Sequence, residues 1–425
     1  MESVLLPFGR GYVSYRAAHD VHHDLLIPRE VVRAIVDEAE LVDDAVKNPL
    51  SGSAILNKIN SSTRIAISIN DKTRPVPNTI LLDGLLAGLR RRGVQDNNVR
   101  LFVASGTHSP MPQEEYPLIL NQKYVSGFEI ISHDCDDSEN LKYLGVTSIG
   151  TPVYINRRFL EADVKIVVGD IELHHFAGYS GGVKSAAIGL SGRATINANH
   201  SLITHQNAKV GIYEGNPLRE DIEEIGKLAG IDFALNAVLT EKKEILSVFL
   251  GDPVAVMRKG IEVVNAMCQV PISGLYDVVI ASAGGYPKDI NLYQAQKAMT
   301  HASLFCREGG KIILVAECAE GAGSAGYLEF MKGIGTKEDV LQKFLQQGFS
   351  VGPHKAFQIA SILKRQEVFL YSSMKPEQVK SLLLGPIPPE KSKIEDFIKE
   401  QAINSRIAIL PYATACIPII KELEK

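Results

Sequence analysis

Short runs of apolar, mostly β-branched residues recur along this chain, and each run leads into a polar or glycine-rich segment. Several of those segments are followed by apolar residues at helical spacing, as at residues 79–89. Strands that alternate with helices in this way are typical of a parallel α/β architecture. The predicted strands comprise residues 64–70, 99–104, 162–168, 276–282, 309–316, 367–373 and 406–411.

Two domains are expected for 425 residues, because a single core seldom grows beyond about 300 residues. A helical pattern at residues 251–264 and a Pro/Ser/Gly-containing connector at residues 270–274 separate two groups of strands. We predict an N-terminal domain of residues 1–270 and a C-terminal domain of residues 271–405, each with a mostly parallel sheet flanked by helices. The tail, residues 406–425, could pack back on the first domain.

Composition and charge exclude several classes of protein. The net charge is −4 and no basic stripe is present, which argues against nucleic acid as a partner. No window approaches the roughly 18 apolar residues of a membrane span, and no secretory signal pattern is found, so a cytoplasmic location is expected. The five cysteines are scattered without a C-x-x-C pair, which argues against a zinc ribbon. An enzyme acting on a small molecule is the default expectation.

Chemically active side chains lie directly after three of the predicted strands. They are Asp71, Thr73 and Arg74 after the first strand, His108 after the second, and His174 and His175 after the third. Ligands of open α/β sheets bind beyond the carboxyl ends of the strands, so we expect a site there. Arg74 could bind a carboxylate through two hydrogen bonds, and Asp71 could orient a histidine or a ribose hydroxyl. A capped helix start with Pro75 in its first turn would explain the first loop equally well.

The glycine-rich loop at residues 178–185 resembles a phosphate-binding P-loop, except that Val183 and not glycine precedes Lys184. Backbone amides around Gly181 and Gly182 could bind an anion where a helix begins. A flexible turn with a surface lysine is the alternative. The two histidines just upstream favour a site.

Imidazoles suit proton transfer near neutral pH, because their ordinary pKa is about 6.5. A lone histidine is more often structural, but two on opposite faces of a substrate would suit racemisation. Since neighbouring residues of an extended chain point in different directions, we expect only one of His174 and His175 to face the site. His200 could be a single ligand for nickel, zinc or copper. No second protein ligand is evident, so other groups would have to complete such a metal site.

Together, these motifs resemble the nickel-pincer-nucleotide lactate racemase family over essentially the whole chain. The resemblance is carried by Asp71-x-Thr-Arg-Pro-Val-Pro, Gly106-x-His108-x-Pro, Glu172-x-His174-x-Phe-Ala-Gly-x-Ser-Gly-Gly-x-Lys184-Ser, Ala198-Asn-His200, Gly284-Gly-Tyr-Pro and Tyr293-Gln-Ala-x-Lys297. It implies a racemase or epimerase that inverts C2 of a 2-hydroxy acid by reversible hydride transfer. Abstraction of the proton at C2 would leave a dianion that these side chains could not stabilise, so the cofactor must perform the difficult step.

The resemblance also implies a role for each candidate residue. Lys184 would carry pyridinium-3-thioamide-5-thiocarboxylic acid mononucleotide covalently, and His200 would be the protein ligand of its nickel. His108 and His174 would be the acid/base pair in an interdomain cleft. The remaining residues would bind the cofactor (Asp71, Thr73, Gly181, Gly182 and Ser185) or the substrate (Arg74, Tyr293, Gln294 and Lys297). Separate biosynthesis proteins would supply the cofactor, and an oligomer is possible.

The chain departs from the family's lactate-specific pattern in ways that concern the substrate. It has no tryptophan, and the segment where the family's lactate racemase has an indole contains His354 and Lys355. Thr107 and His175 are also more polar than that pattern, so we expect a 2-hydroxy acid larger or more polar than lactate, such as a malate-like acid. A sugar-acid 2-epimerase with the same mechanism is the alternative. A non-catalytic nickel or cofactor carrier would not need two histidines, and an NAD-dependent dehydrogenase would need a G-x-G-x-x-G motif that is missing.

Overall fold

The computed structural model describes residues 3–16, 23–29, 36–52, 56–57, 59–390, 395–397, 400 and 405–421. The chain forms two compact units. We call Val31–Ala266 the central unit, and Met1–Glu30 together with Met267–Lys425 the terminal unit, because the latter contains both ends of the chain.

Strands and helices alternate through both units. The strands are β1 Ser3–Phe8, β2 Gly11–Arg16, β3 His23–Leu25, β4 Ile65–Asn70, β5 Val99–Ala104, β6 Glu129–Ser132, β7 Leu141–Val146, β8 Pro152–Asn156, β9 Val164–Asp170, β10 Leu173–His174, β11 Gly178–Tyr179, β12 Phe233–Leu239, β13 Ile245–Gly251, β14 Gln269–Ile272, β15 Tyr276–Ser282, β16 Cys306–Val315, β17 Glu367–Tyr371, β18 Gly385–Ile387, β19 Ile407–Leu410 and β20 Ile417–Ile420. The helices are α1 Glu38–Lys47, α2 Asn78–Arg91, α3 Gln122–Gly127, α4 Arg157–Leu160, α5 Lys184–Ala187, α6 Arg193–Ser201, α7 Pro217–Leu228, α8 Pro253–Cys268, α9 Leu292–Phe305, α10 Ala325–Met331, α11 Lys337–Gln347, α12 Pro353–Leu363 and α13 Pro376–Ser381. None of the helices in the described residues combines the length and hydrophobicity that crossing a lipid bilayer requires.

The central sheet has the strand order β13-β12-β9-β4-β5-β6 and is parallel except for β13. The chain runs from β4 through β5 to β6 on one side, and then returns to the other side of β4 with β9 and β12. The strand order therefore reverses between β4 and β9. From β4 the chain continues towards β5, and from β9 it continues in the opposite direction along the sheet, towards β12. Such a reversal creates the crevice in which open α/β sheets bind ligands.

The apolar sequence of β4 reflects its place in the middle of this sheet. Ile65, Ile67 and Ile69 point to one face and pack in a core with Leu81 and Leu85 of α2. Ala66 and Ser68, on the other face of the strand, are buried as well, as expected for a parallel strand that is covered on both faces.

The sheet of the terminal unit has the order β18-β17-β16-β15-β19-β3, and all its pairings are parallel. The predicted α/β class with two mostly parallel sheets flanked by helices is confirmed.

The domain limits differ from the predicted ones at both ends of the chain. The described part of the tail does not return to the first domain, because β19 pairs with β15, and β20 pairs with β14. The N-terminal strand β3 extends the same sheet by pairing with β19. The predicted connector at residues 270–274 contains most of β14. The backbone N–H and C=O groups of these short strands form hydrogen bonds with strands that are distant in the sequence. The residue pattern of a short strand therefore does not show which sheet it joins.

Gly178 allows two backbone segments of the central unit to approach closely. Its φ is +76°, and a Cβ on Gly178 would lie 1.9 Å from the carbonyl oxygen of Ile212. The Gly178 carbonyl also accepts a hydrogen bond of 3.0 Å from the Gly211 backbone N–H. A side chain at this position would therefore separate two hydrogen-bonded segments.

We expect Gly178→Ala to lower the free energy of unfolding of the protein by about 3 kcal/mol or more, through backbone strain and steric overlap. Gly215→Ala is the matched control, because Gly215 has φ of +73° but nothing lies within 4 Å of its added Cβ. The control should lose only about 1 kcal/mol. Urea unfolding of both variants measures the difference, and equal losses would contradict a role for the close approach.

Candidate active site

The loops after β4, β5 and β9 bring most of the candidate residues together at the reversal of the central sheet. One pocket is lined by Arg74, His174, Gly181, Gly182, Lys184 and Ser185, together with Asp170 and Asn236. Asp71 and Thr73 belong to the same loop as Arg74, and His108 reaches that loop from the end of β5. The three loops thus meet, as their positions after neighbouring strands predicted.

Asp71 and His108 form a hydrogen-bonded pair at this edge. The distance from His108 Nδ1 to Asp71 Oδ2 is 2.7 Å, and Thr73 donates to the other carboxylate oxygen through its backbone N–H and its hydroxyl. Burial would raise the pKa of Asp71, but the hydrogen bonds from His108 and Thr73 outweigh it and leave that pKa below its ordinary value. An ionised Asp71 accepts the proton on Nδ1 of His108, which leaves Nε2 as the basic nitrogen. Of the two roles considered for Asp71, the structure therefore favours orienting a histidine.

Lys184 begins the short helix α5 and is half-buried in the pocket. Burial lowers the pKa of its amine to about 7, and the positive charges of Arg74 and Arg219 lower it further. Asp170, in the same pocket, is affected in the opposite direction, because burial and the charge of Glu172 raise its pKa to about 7. Lys184 is therefore not an ordinary surface lysine. At neutral pH its amine is unprotonated, and hence nucleophilic, in a fraction of the molecules.

The glycine loop is held from behind by two buried side chains. Arg219 donates to the carbonyl oxygens of Tyr179 at 3.2 Å and Gly181 at 3.1 Å. Asn236 Oδ1 accepts the backbone N–H of Gly182 at 2.7 Å. That amide is therefore already used and does not contribute to the predicted anion-binding nest.

Ser185 offers a polar group that the protein itself does not satisfy. Its hydroxyl oxygen is buried and has no hydrogen-bond partner among the described residues. Buried hydroxyl groups are rarely left unsatisfied, so this atom at the start of α5 is a candidate contact for a bound ligand.

Contrary to the prediction, the side chains of His174 and His175 do not point in different directions, because their rings stack. The ring centroids of His174 and His175 are 4.7 Å apart, with 17° between the ring planes. The strand β10 ends at His174, so strand alternation does not extend to His175. The Ala177 backbone N–H donates to His174 Nδ1 at 3.1 Å, and a neutral His174 therefore carries its proton on Nε2. Of the two rings, only that of His174 lines the pocket.

His200 is oriented by a buried polar network. Its Nδ1 lies 3.1 Å from Asn199 Oδ1, and the Asn199 amide nitrogen donates to Asp221 at 2.9 Å. Phe176, next to the stacked histidines, makes an edge-on contact with the His200 ring at 5.3 Å. When Nδ1 donates to Asn199, Nε2 has the lone pair that a metal ion requires, and second-shell hydrogen bonds of this kind are typical of histidine ligands.

The candidate substrate-binding residues of the terminal unit lie on the first turns of α9. Tyr293, Gln294 and Lys297 are half-buried, and Lys297 Nζ donates to Gln294 Oε1 at 3.1 Å. The spacing of Tyr293 and Lys297 by four residues places both on one face of the helix.

Sequence reasoning missed three residues that shape the pocket. Asp170 and Asn236 were not singled out because they lie at the end of β9 and inside β12, in patterns that otherwise predict only buried strands. Arg219 resembles an exposed helical arginine in the sequence, yet it is fully buried. The one signal in the sequence that could have identified such a residue is a polar side chain within an apolar strand. Asn236 is a residue of this kind.

Comparison with known proteins shows which family the chain belongs to. The model of the lactate racemase N-terminal domain matches residues 8–211, and that of the lactate racemase C-terminal domain matches residues 273–417. The chain is 30% identical over 420 residues to a lactate racemase of Thermoanaerobacterium thermosaccharolyticum, covering 97% of this chain and 98% of the relative. It is 34% identical over 310 residues to a lactate racemase of Lactiplantibacillus plantarum, covering 72% and 73% of the two chains.

Solved structures show the same relationship. The lactate racemase apoprotein from T. thermosaccharolyticum matches with a TM-score of 0.90 and 29% identity, covering 98% of this chain and all of that one. A protein from Thermotoga maritima shares the fold with a TM-score of 0.65 at 18% identity, over 92% of this chain. With both domain models and a nearly full-length relative in agreement, this chain belongs to the lactate racemase family of isomerases.

Proposed function

We propose that this protein inverts C2 of a 2-hydroxy acid, using a nickel-pincer nucleotide attached to Lys184. The observation that carries the proposal is the Lys184 amine, with its pKa lowered to about 7, in a pocket at the reversal of the sheet. Lactate is the first candidate substrate, because it is named in the relatives that align with most of this chain.

The residues present fit the proposed cofactor. A partly unprotonated Lys184 can form the covalent bond, and Ser185 supplies an unsatisfied buried hydroxyl beside it. His200 would ligate nickel through Nε2, because the network behind the ring occupies Nδ1. When bound, such a nucleotide would supply the reversible hydride chemistry at C2 of the substrate that these side chains cannot perform. Cofactor biosynthesis proteins are therefore proposed partners.

The two histidines are held through Nδ1 in different ways. His108 donates through Nδ1 to Asp71, so its Nε2 can take the proton of the substrate hydroxyl. His174 accepts the Ala177 N–H through Nδ1 and is a neutral ring in that state, so to give a proton back on the other side it would act as an imidazolium that has taken up a second proton on Nδ1 in place of that hydrogen bond. Asp71 stabilises the positive charge that His108 gains, in the way that a buried carboxylate supports a histidine base. In the reverse direction the two roles exchange.

Cationic side chains would hold the substrate carboxylate. Arg74 presents a guanidinium at the pocket, and Lys297 presents an ammonium beside Tyr293 and Gln294. Charge-assisted hydrogen bonds of this kind are stronger than neutral ones and orient the acid. A non-catalytic carrier would not need the Asp71–His108 pair.

The covalent attachment can be tested with Lys184→Arg. The variant should lack the cofactor mass in intact-protein mass spectrometry after production with the biosynthesis proteins, and it should not interconvert D- and L-lactate in chiral chromatography. Lys227→Arg, at an exposed lysine of α7, is the control and should retain both properties. Inversion by the Lys184→Arg variant would end the proposal.

The lowered pKa of Lys184 predicts unusual reactivity in the protein without cofactor. Below pH 7 the amine is mostly protonated and unreactive, and above pH 7 it is mostly free, whereas an ordinary lysine changes near pH 10.4. Labelling of Lys184 by an amine-reactive ester should therefore be half-maximal near pH 7, as measured by peptide mass spectrometry. A midpoint that coincides with that of Lys227 would contradict the effect of burial.

Asp71→Asn tests the positioning of His108. We expect kcat to fall by about 10²–10⁴-fold, the range typical of general acid/base catalysis, with little change in KM or in the cofactor mass. The control is Asp163→Asn, because Asp163 is exposed and pairs with Arg64 at the surface of the same unit. Loss of cofactor in the Asp71→Asn variant would instead assign Asp71 to the nucleotide.

A further inference from the structure

The pocket at the reversal of the central sheet contains a carboxyl group that the mechanism described above does not use. It belongs to Asp170, the last residue of β9, and it lines the same pocket as Lys184, the first residue of α5. Only 7% of Asp170 is exposed. Both residues belong to the central unit, so their arrangement does not depend on the terminal unit.

Neither group has a partner that would explain it as structural. Among the described residues, no lysine or arginine lies at ion-pair distance from the Asp170 carboxyl group, and no other residue donates a hydrogen bond to it. Within the same part of the chain, the Lys184 amine forms no ion pair and no side-chain hydrogen bond. An unpaired buried charge lowers stability, so an aspartate with a purely structural role would be paired. Groups that are retained in this state are typical of functional sites.

The surroundings bring the pKa values of the two groups close together. Burial and the charge of Glu172 raise the pKa of Asp170 to about 7. Burial and nearby positive charges lower the pKa of Lys184 to about 7. Transfer of a proton from one group to the other therefore changes the free energy little at neutral pH. The titratable and charged groups that face this pair are Arg74, Glu172, His174, Arg219 and Lys243.

The other acid/base groups of this pocket are engaged elsewhere. The Glu172 side chain is 48% exposed and pairs with Lys243 at 3.5 Å. His174 accepts the Ala177 backbone N–H through Nδ1, and its proposed role is at C2 of the substrate. The two arginines do not release a proton under physiological conditions. Asp170 is therefore the group of the described pocket that suits proton transfer at the Lys184 amine.

We propose that Asp170 is the acid/base group for the covalent attachment of the nucleotide to Lys184. The inference rests on the proposed function. Attachment joins the Lys184 nitrogen to the carbon of a thiocarboxylic acid group and breaks the C–O bond of that group. The nitrogen loses one proton, the hydroxyl group leaves as water, and the product is a thioamide, without oxidation or reduction. Asp170 takes the proton from the nitrogen and gives it to the departing oxygen, which restores its carboxylate.

A group of this kind matters at both stages of the attachment. Without it, the attacking nitrogen keeps its extra proton, and the oxygen has to leave as hydroxide, which is a poor leaving group. A positioned acid/base group typically accelerates such a step by about 10²–10⁴-fold.

Three variants of the full chain test the role of Asp170. Asp170→Asn removes the acid/base function but keeps the shape of the side chain, and Asp170→Ser is a second replacement. Glu172→Gln is the matched control, because Glu172 lies in the same pocket and, like Asp170, favours the charged form of Lys184. Each protein is prepared without cofactor and incubated with the nucleotide made by the biosynthesis proteins. Over time, native mass spectrometry measures all bound nucleotide, and denaturing mass spectrometry measures the covalently attached fraction.

We expect both Asp170 variants to attach the nucleotide at least ten-fold more slowly than the wild type, with total binding unchanged. Glu172→Gln should change the attachment rate less than two-fold. Removal of the Asp170 charge lowers the pKa of Lys184 and leaves more of its amine unprotonated at pH 7, so a purely electrostatic role predicts faster attachment. Labelling of the cofactor-free proteins with an amine-reactive ester checks this, because the midpoint for Lys184 should be lower in all three variants. A lowered midpoint also shows that the pocket is folded.

Attachment at the wild-type rate or faster in both Asp170 variants would overturn the inference, and so would an equal loss in Glu172→Gln. Loss of total binding together with attachment would assign Asp170 to nucleotide binding and would also overturn it. If the wild-type protein itself acquires no covalently attached nucleotide, the proposed function is wrong.

Discussion

Because β4, β5 and β9 are parallel, the loops that follow them all leave the central sheet at one edge, and the reversal of strand order places β4 between the other two strands. Each loop contributes a different kind of group: a carboxylate and a guanidinium after β4, an imidazole after β5, and an imidazole and an amine after β9. Parallel strands with buried residues on both faces hold these loop starts rigidly. The chemistry proposed for this protein depends on that reversal of strand order.

Packing against neighbouring elements then gives each of these groups its chemical character. Asp71 is buried but stays ionised through its hydrogen bonds, and it sets which nitrogen of His108 is basic. Lys184 loses its proton more easily because it is withdrawn from water and faces other cations. Burial and a neighbouring positive charge lower the pKa of Lys355 in the terminal unit in the same way. Buried charges of this kind lower stability, and functional sites are where proteins retain them.

The long strands were predictable because their apolar runs are continuous and bounded by turn residues. The prediction for residues 99–104 coincides with β5, and that for residues 276–282 coincides with β15. The strand β3 has three residues, too few for a periodic pattern, and β14 was taken for a connector because it contains a proline. Their partners lie at the other end of the chain, so the assignment of both termini to one unit required the fold.

The sequence by itself determined the residue types of the site and their places after particular strands, because a motif and its strand are local. Tertiary structure alone decided the pairs: Asp71 meets His108 across 37 residues, and Lys355 meets Gln296 across 59. It also showed that the N–H of Gly182 is already bound to Asn236, and that the rings of His174 and His175 stack. Burial and hydrogen bonding between distant segments arise only when the chain packs. They determine which groups are protonated, which nitrogen of a histidine carries the proton and which buried charges remain uncompensated.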